Sequence, residues 1–112
     1  MTSLLQGAGR LEVNGNVLVA SGEAGFDVAA DLAEKGCEWL VQQPSGSDVG
    51  FDLSGIDQAS SAALSVMLEW LRCARRQDLV VSHIRLSSPL SRLTAMAGLD
   101  RLLPEERAET AH

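Results

Sequence analysis

The sequence predicts an α/β fold: a single domain built on a mixed β-sheet, with an antiparallel opening hairpin and crossover helices. Three observations carry that expectation. Residues 10–13 and 17–21 flank Asn14-Gly15-Asn16, an Asn-Gly signal for a tight hairpin whose turn takes positive φ. Val49, Phe51 and Leu53 alternate with Gly50 and Asp52, the period of a short strand, and a polar turn follows. From Ser60 to Gln77 neither Gly nor Pro interrupts a run rich in Leu, Met, Ala, Glu and Arg. These are good helix formers, so a helix of about five turns should start near Ser60.

Taken in order, residues 1–9 read as a flexible leader, and the domain proper spans residues 10–103. Leu11, Val13, Leu18 and Ala20 share one face of the hairpin, which gives it a side to bury. After an exit loop at residues 22–25, Asp27 is placed to cap a helix beginning at Val28. Asp31 lies in its first turns, and Leu32, Leu40 and Val41 form its apolar face. Gly36 is the weak point, because an interior Gly costs about 1 kcal/mol against Ala. One bent helix to Gln42 and two short helices both remain open. Trp39 belongs at the edge of the core, and residues 44–48, PSGSD, loop back to the central strand, which Ser54-Gly55 ends and Ile56 anchors.

On the long helix, Ser61, Ser65, Glu69, Arg72 and Arg76 fall on one stripe at ~100° per residue. The remaining arc holds Ala62, Ala63, Leu64, Val66, Met67, Trp70, Leu71, Cys73 and Ala74. It spans roughly 200°, wider than the ~100° needed to cover one side of a sheet. Either a neighbouring helix or another protein must take up the excess. Phe51, Leu53, Leu64, Leu71 and Ile84 are expected in the core. Residues 79–86 read as a further strand containing His83, for which a structural role is expected. Ser88-Pro89 opens a short helix as cap and first helical residue, with Leu90, Leu93 and Ala97 on its apolar face and Gly98 at its left-handed stop. Residues 99–103 close the domain and residues 104–112 form a polar tail, so the expected order is β-β-α-β-α-β-α.

At 112 residues and 46% hydrophobic content the chain is long enough for one core. A net charge of −6 argues against non-specific nucleic-acid binding, which needs a basic face. The basic cluster Arg72, Arg75 and Arg76 ends a helix, where the dipole favours cations anyway. Cys37 and Cys73 lie far apart and form no CxxC pair, so reduced cytosolic thiols are the simplest reading, with neither disulfide nor metal motif. No basic segment followed by an apolar run opens the chain, and Ser65 and Glu69 interrupt its most apolar window. An unexported protein that spans no membrane is expected, with any membrane association made through a partner. Phosphate-cradling Gly-Lys-Ser/Thr loops, GxGxxG, HExxH and GxSxG are all missing from the sequence. Ser61 would need a base to act as a nucleophile, and His83 has no identifiable orienting carboxylate. No catalytic residue, cofactor or metal is therefore expected, and Ser60 and Ser61 read first as helix-capping residues.

DLSGIDQASSAAL, followed by LEWLRCARRQ, a strand and SPLSRLTAMAGLDRLLP, resembles the STAS domain, named for sulfate transporters and anti-sigma factor antagonists. Asp52, Leu53, Ser54, Gly98, Leu99 and Asp100 match its pattern, and Ser61 stands at the position of its phosphorylatable or contact Ser/Thr. Ser60 replaces the family's acid, and Ala62 and Ala63 replace its small Ser-Gly or Gly-Gly pair before Leu64. LEWLRCARRQ and RLTAMAGLDRLLP look more like the stand-alone STAS subunit of the bacterial Mla phospholipid-transport ABC complex than like the antagonists. That resemblance implies a cytoplasmic, non-enzymatic accessory subunit, peripheral to the inner membrane through its partner, the ABC transporter ATPase subunit. It would support assembly and activity of a system that maintains outer-membrane lipid asymmetry. Ser60, Ser61, Ala62, Leu64 and Ser65 are the expected partner-binding residues. The alternative that the family offers is an anti-sigma factor antagonist switched by phosphorylation at Ser61.

Overall fold

The computed structural model describes residues 2–7, 9–23, 25–56 and 60–103. In chain order these form β1 (Thr2–Leu5), β2 (Gly9–Asn14), β3 (Val17–Gly22), α1 (Phe26–Leu40), β4 (Asp48–Ile56), α2 (Ser61–Arg76), β5 (Val80–Leu86), α3 (Ser88–Met96) and a closing 3-10 turn at Asp100–Leu102. The five strands lie in one sheet in the order β1-β2-β3-β4-β5. Neighbours β1, β2 and β3 are antiparallel, whereas β3/β4 and β4/β5 are parallel.

Register turns the alternation in the sequence into two faces. Val13, Leu18, Phe51 and Ile84 are successive cross-strand partners, and all four are buried. The adjacent row, Glu12, Val19, Asp52 and Arg85, has the opposite side-chain direction and none of its members is buried. At the hairpin Gly15 takes φ +65°, the conformation its turn demands. Asn16 then ties that turn to β4, donating from its side-chain amide to the Asp48 carbonyl at 2.9 Å and accepting from the Gly50 N–H at 3.0 Å.

The parallel steps β3 to β4 to β5 advance in one direction, so right-handed crossovers lay α1 and α2 side by side on one face of the sheet. Their contact is the excess apolar arc of α2 finding its cover. Trp70 is fully buried there, its ring centroid 5.4 Å from that of Phe51 in an edge-on arrangement, and its indole N–H donates to the Leu32 carbonyl at 3.1 Å. Gly36 explains itself at this crossing. A Cβ there would meet Trp70 Cζ2 at 2.9 Å, with Nε1 and Cε2 closer still. The glycine that weakens α1 intrinsically lets α2 approach, and α1 runs unbroken through it.

Both later helices end in the same way. At α3 the Gly98 N–H reaches the Ala95 carbonyl and the Leu99 N–H reaches Thr94, each at 3.0 Å, with Gly98 at φ +73°. At α2 the same pair of bonds runs from Asp78 to Arg75 and from Leu79 to Ala74, but the left-handed position, φ +60°, is held by Asp78. Buried Thr94 satisfies its hydroxyl on the Leu90 carbonyl at 2.8 Å.

Several expectations need correction. Thr2–Leu5, read as part of a leader, is an edge strand paired with β2, and β2 itself begins at Gly9. Strand β4 continues past Ser54-Gly55 because Gly55 and Ile56 still pair with Ser21 and Gly22. The N-cap of α1 is Gly25, leaving Asp27 in the first turn; the helix stops at Leu40, and Val41 is exposed. The cap of α3 is Ser87 rather than Ser88, its hydroxyl accepting from the Leu90 N–H at 3.4 Å. Ala97 is exposed and Thr94 takes its place on the buried face beside Leu90. Phe51, Leu53 and Ile84 are core residues, but Leu64 and Leu71 are only half-buried, because the α2 arc points Val66, Met67 and Trp70 straight at the sheet. The turn residues Asp57, Gln58 and Ala59 and the polar tail at 104–112 lie outside the described residues.

Candidate functional site

The start of α2 is set by Ser60, whose extended backbone precedes the first helical residue and whose hydroxyl accepts from the Ala63 N–H at 3.1 Å. With Ser60 as N-cap, Ser61 becomes the first residue of the helix and is exposed. Ser65, one turn on, is exposed as well and donates its hydroxyl to the Ser61 carbonyl at 2.8 Å. Glu69, Arg72 and Arg76 continue the stripe. Glu69 pairs with Arg72 at 3.2 Å and more distantly with Arg76 at 4.0 Å, on a surface where such pairs contribute little to stability.

The predicted partner-binding set is therefore divided by the helix. Ser61 and Ser65 present themselves outward together, with half-buried Ser60 just before them. Ala62 is 5% exposed and turns toward α1, where with Ala29, Ala30, Ala33 and Ser65 it lines a shallow groove between the two helices. Leu64 lies half-buried on the opposite flank. Small residues at these places leave the backbone of the helix start close to the surface. Behind it Asp52, in the family-like Asp-Leu-Ser of β4, accepts from both the N–H and the hydroxyl of Ser54, at 2.9 and 2.6 Å. This local bond shapes the exposed end of the strand just before the turn that feeds α2.

His83 stacks over Gly50 across the β4/β5 pair, where any Cβ at residue 50 would collide with the ring. Its Nδ1 lies 3.4 Å from the Ser82 hydroxyl, at the limit of a hydrogen bond. Ser61 stands on a different element, at the N-terminal end of α2, and no contact joins it to His83 among the described residues. Among the described residues, no histidine or carboxylate is hydrogen-bonded to the Ser61 hydroxyl.

Beside the far half of the stripe the structure holds what the sequence spacing hides. Cys37 on α1 and Cys73 on α2 are joined in a disulfide, with Cα atoms 5.8 Å apart and 36 residues between them in the chain. The expectation of two separate reduced thiols is thereby corrected. Packing of α1 against α2 makes neighbours of residues that no sequence motif connects. Glu69 also has a carboxylate oxygen near these sulfurs, so that Cys37, Glu69 and Cys73 form a cluster with one ligand atom each within 4.8 Å. In the disulfide neither sulfur is a thiolate, and the carboxylate is engaged by Arg72 and Arg76, so this donor set does not suit a metal cation.

A five-stranded mixed sheet carrying paired helices on one face, with an exposed serine at the start of the central helix, defines a STAS-like α/β domain. Residues 8–104 match the family model described as Mlab, STAS domain, which spans most of the chain. The protein belongs to the STAS-domain family and resembles its MlaB-like members. No curated protein matches the chain significantly. Among the described residues no helix is long and apolar enough to cross a membrane.

Proposed function

We propose that the protein is a non-enzymatic accessory subunit that docks on the ATPase of a phospholipid-transport ABC transporter of the Mla type and supports its assembly and activity. In this reading it acts in the cytoplasm, held at the inner membrane through that partner, in a system that maintains outer-membrane lipid asymmetry. The observation that carries the reading is the match of residues 8–104 to a STAS family model described by the name Mlab. Docking is assigned to the start of α2, where Ser60, Ser61 and Ser65 let another protein approach the helix closely. The exposed Ser61 hydroxyl can hydrogen-bond across such a contact without a charge to desolvate. Ala62 and Leu64 support this surface from below, through their small size and their packing respectively.

Affinity isolation of the chain from its native cell tests the proposal. Recovery of an ABC ATPase supports it, whereas recovery of a sigma-factor regulator or a serine kinase supports the second reading, an antagonist switched at Ser61. One observation keeps that alternative in view: Ser61 is exposed at a helix N-terminus, where a phosphate is electrostatically favoured. Purified chain freed of its partner is expected to hydrolyse no ATP, and sustained turnover that follows the protein through purification would contradict the non-enzymatic role.

A further inference from the structure

The disulfide between α1 and α2 has two unequal ends, and the inequality defines a chemistry. Cys73 is 3% exposed, whereas Cys37 is only half-buried, the more exposed residue of the pair. Arg76 places Nη2 3.3 Å from Cys73 Sγ. The same guanidinium lies 4.0 Å from the Glu69 carboxylate, whose closer partner at 3.2 Å is Arg72, so Arg76 keeps a charge to offer the sulfur. Cys37 Sγ has the backbone carbonyl of Glu69 at 3.7 Å, an acceptor waiting for a thiol hydrogen. Each sulfur thus has a neighbour suited to its reduced form: a cation for a Cys73 thiolate, a carbonyl for a Cys37 thiol.

We propose that Cys37–Cys73 is a thiol–disulfide exchange site, opened by dithiol reductants through attack at Cys37. The reductant's thiolate bonds to Cys37 Sγ, the Cys37–Cys73 bond breaks, and its electron pair leaves on Cys73 Sγ as a thiolate beside Arg76. The reductant's second thiol loses its proton and attacks its own sulfur in the mixed disulfide, releasing Cys37, which takes up a proton and turns to the Glu69 carbonyl. Two electrons and two protons have moved from the dithiol to the protein, the second proton reaching Cys73 as its thiolate equilibrates with solvent, and the reductant is left as its own disulfide. In a reducing compartment such pairs are transient and redox-sensing rather than permanent staples. The exchange chemistry rests on the fold alone and stands or falls independently of the docking surface.

The test uses the full chain, oxidised, with free thiols counted by alkylation and intact mass. Dithiothreitol should convert zero alkylatable thiols to two, and removal of the reductant with addition of oxidised glutathione should close the bond again. With reduced glutathione, which carries no second thiol in the same molecule, alkylation of the freed Cys73 should trap the mixed disulfide, and it should map to Cys37. Arg76→Gln, an exposed substitution whose fold is checked by circular dichroism, should slow reduction by dithiothreitol roughly threefold or more, because the leaving Cys73 thiolate loses its neighbouring cation. Arg76→Lys should restore most of the rate. A mixed disulfide on Cys73, an Arg76→Gln protein reduced at the wild-type rate, or a dithiol form that does not reclose would each overturn the assignment.

Discussion

Single residues in this domain are explained by what crosses their path rather than by their own preferences. Gly36 sits in mid-helix, where Ala would be favoured by about 1 kcal/mol, yet the Trp70 indole occupies the space a methyl would need. Gly36→Ala should therefore destabilise by about 1–3 kcal/mol, because overpacking and a displaced indole hydrogen bond outweigh the gain in propensity. Chemical unfolding of the variant checks the sign. Asp78 presents the opposite case. It carries φ +60° at the end of α2, where Gly98 serves the equivalent position of α3. Asp78→Gly should stabilise by about 0.5–1 kcal/mol by relieving the left-handed cost, since the two capping bonds are made by backbone groups and survive the change. An unchanged or lower unfolding midpoint would show that the Asp side chain contributes something the backbone geometry does not reveal.

At the scale of elements, α2 is held in three ways, and they separate by experiment. Met67 is fully buried against the sheet, so Met67→Ala should cost about 2–5 kcal/mol. Leu71 is half-buried, so Leu71→Ala should cost roughly 1–2 kcal/mol, in proportion to the smaller area it removes from water. Equal costs would mean that α2 is rotated relative to the packing described. The third hold is covalent. Closing a loop with sequence separation 36 restricts the unfolded chain by roughly 3–4 kcal/mol in the entropic model. Reduction should thus lower the melting temperature by about 10 °C or more in a domain of this size. The elements legible in the sequence were those with a strong period of their own: the hairpin with its Asn-Gly turn, β4, α2 and β5. Thr2–Leu5 has no alternation, and only the free edge of β2 makes it a strand. Ser87, Ser88 and Pro89 offer two adjacent caps of equal chemistry, and packing of Leu90 and Thr94 chooses between them. The disulfide was illegible because it depends on two helices lying side by side, a tertiary fact that spacing does not encode.

For the whole molecule, the candidate site was legible where local rules apply and obscured where packing intervenes. The Ser60 cap and the outward serines follow from helix periodicity, whereas the inward turn of Ala62 follows from the position of α1. Function then depends on whether the surface at the start of α2 serves binding rather than stability, and Ser61→Glu separates the two. A carboxylate in the first turn of a helix is tolerated or stabilising by about 0.3–1 kcal/mol, and Ser60 already makes the capping bond to the Ala63 N–H. The free variant should melt at or slightly above the wild-type temperature. In a close-packed contact the same side chain adds bulk and a charge that must lose its water, a cost of the size seen for central interface residues, about 2 kcal/mol or more. Under the proposed docking, affinity for the ATPase should therefore fall by ~30-fold or more, while Ser61→Ala, which removes only a hydroxyl, should bind far closer to wild type. Thermal unfolding of the free variant and titration against the purified ATPase are read side by side. A folded Ser61→Glu protein with undiminished affinity would move the docking surface along the same stripe to Glu69, Arg72 and Arg76, the end of α2 that also holds the disulfide.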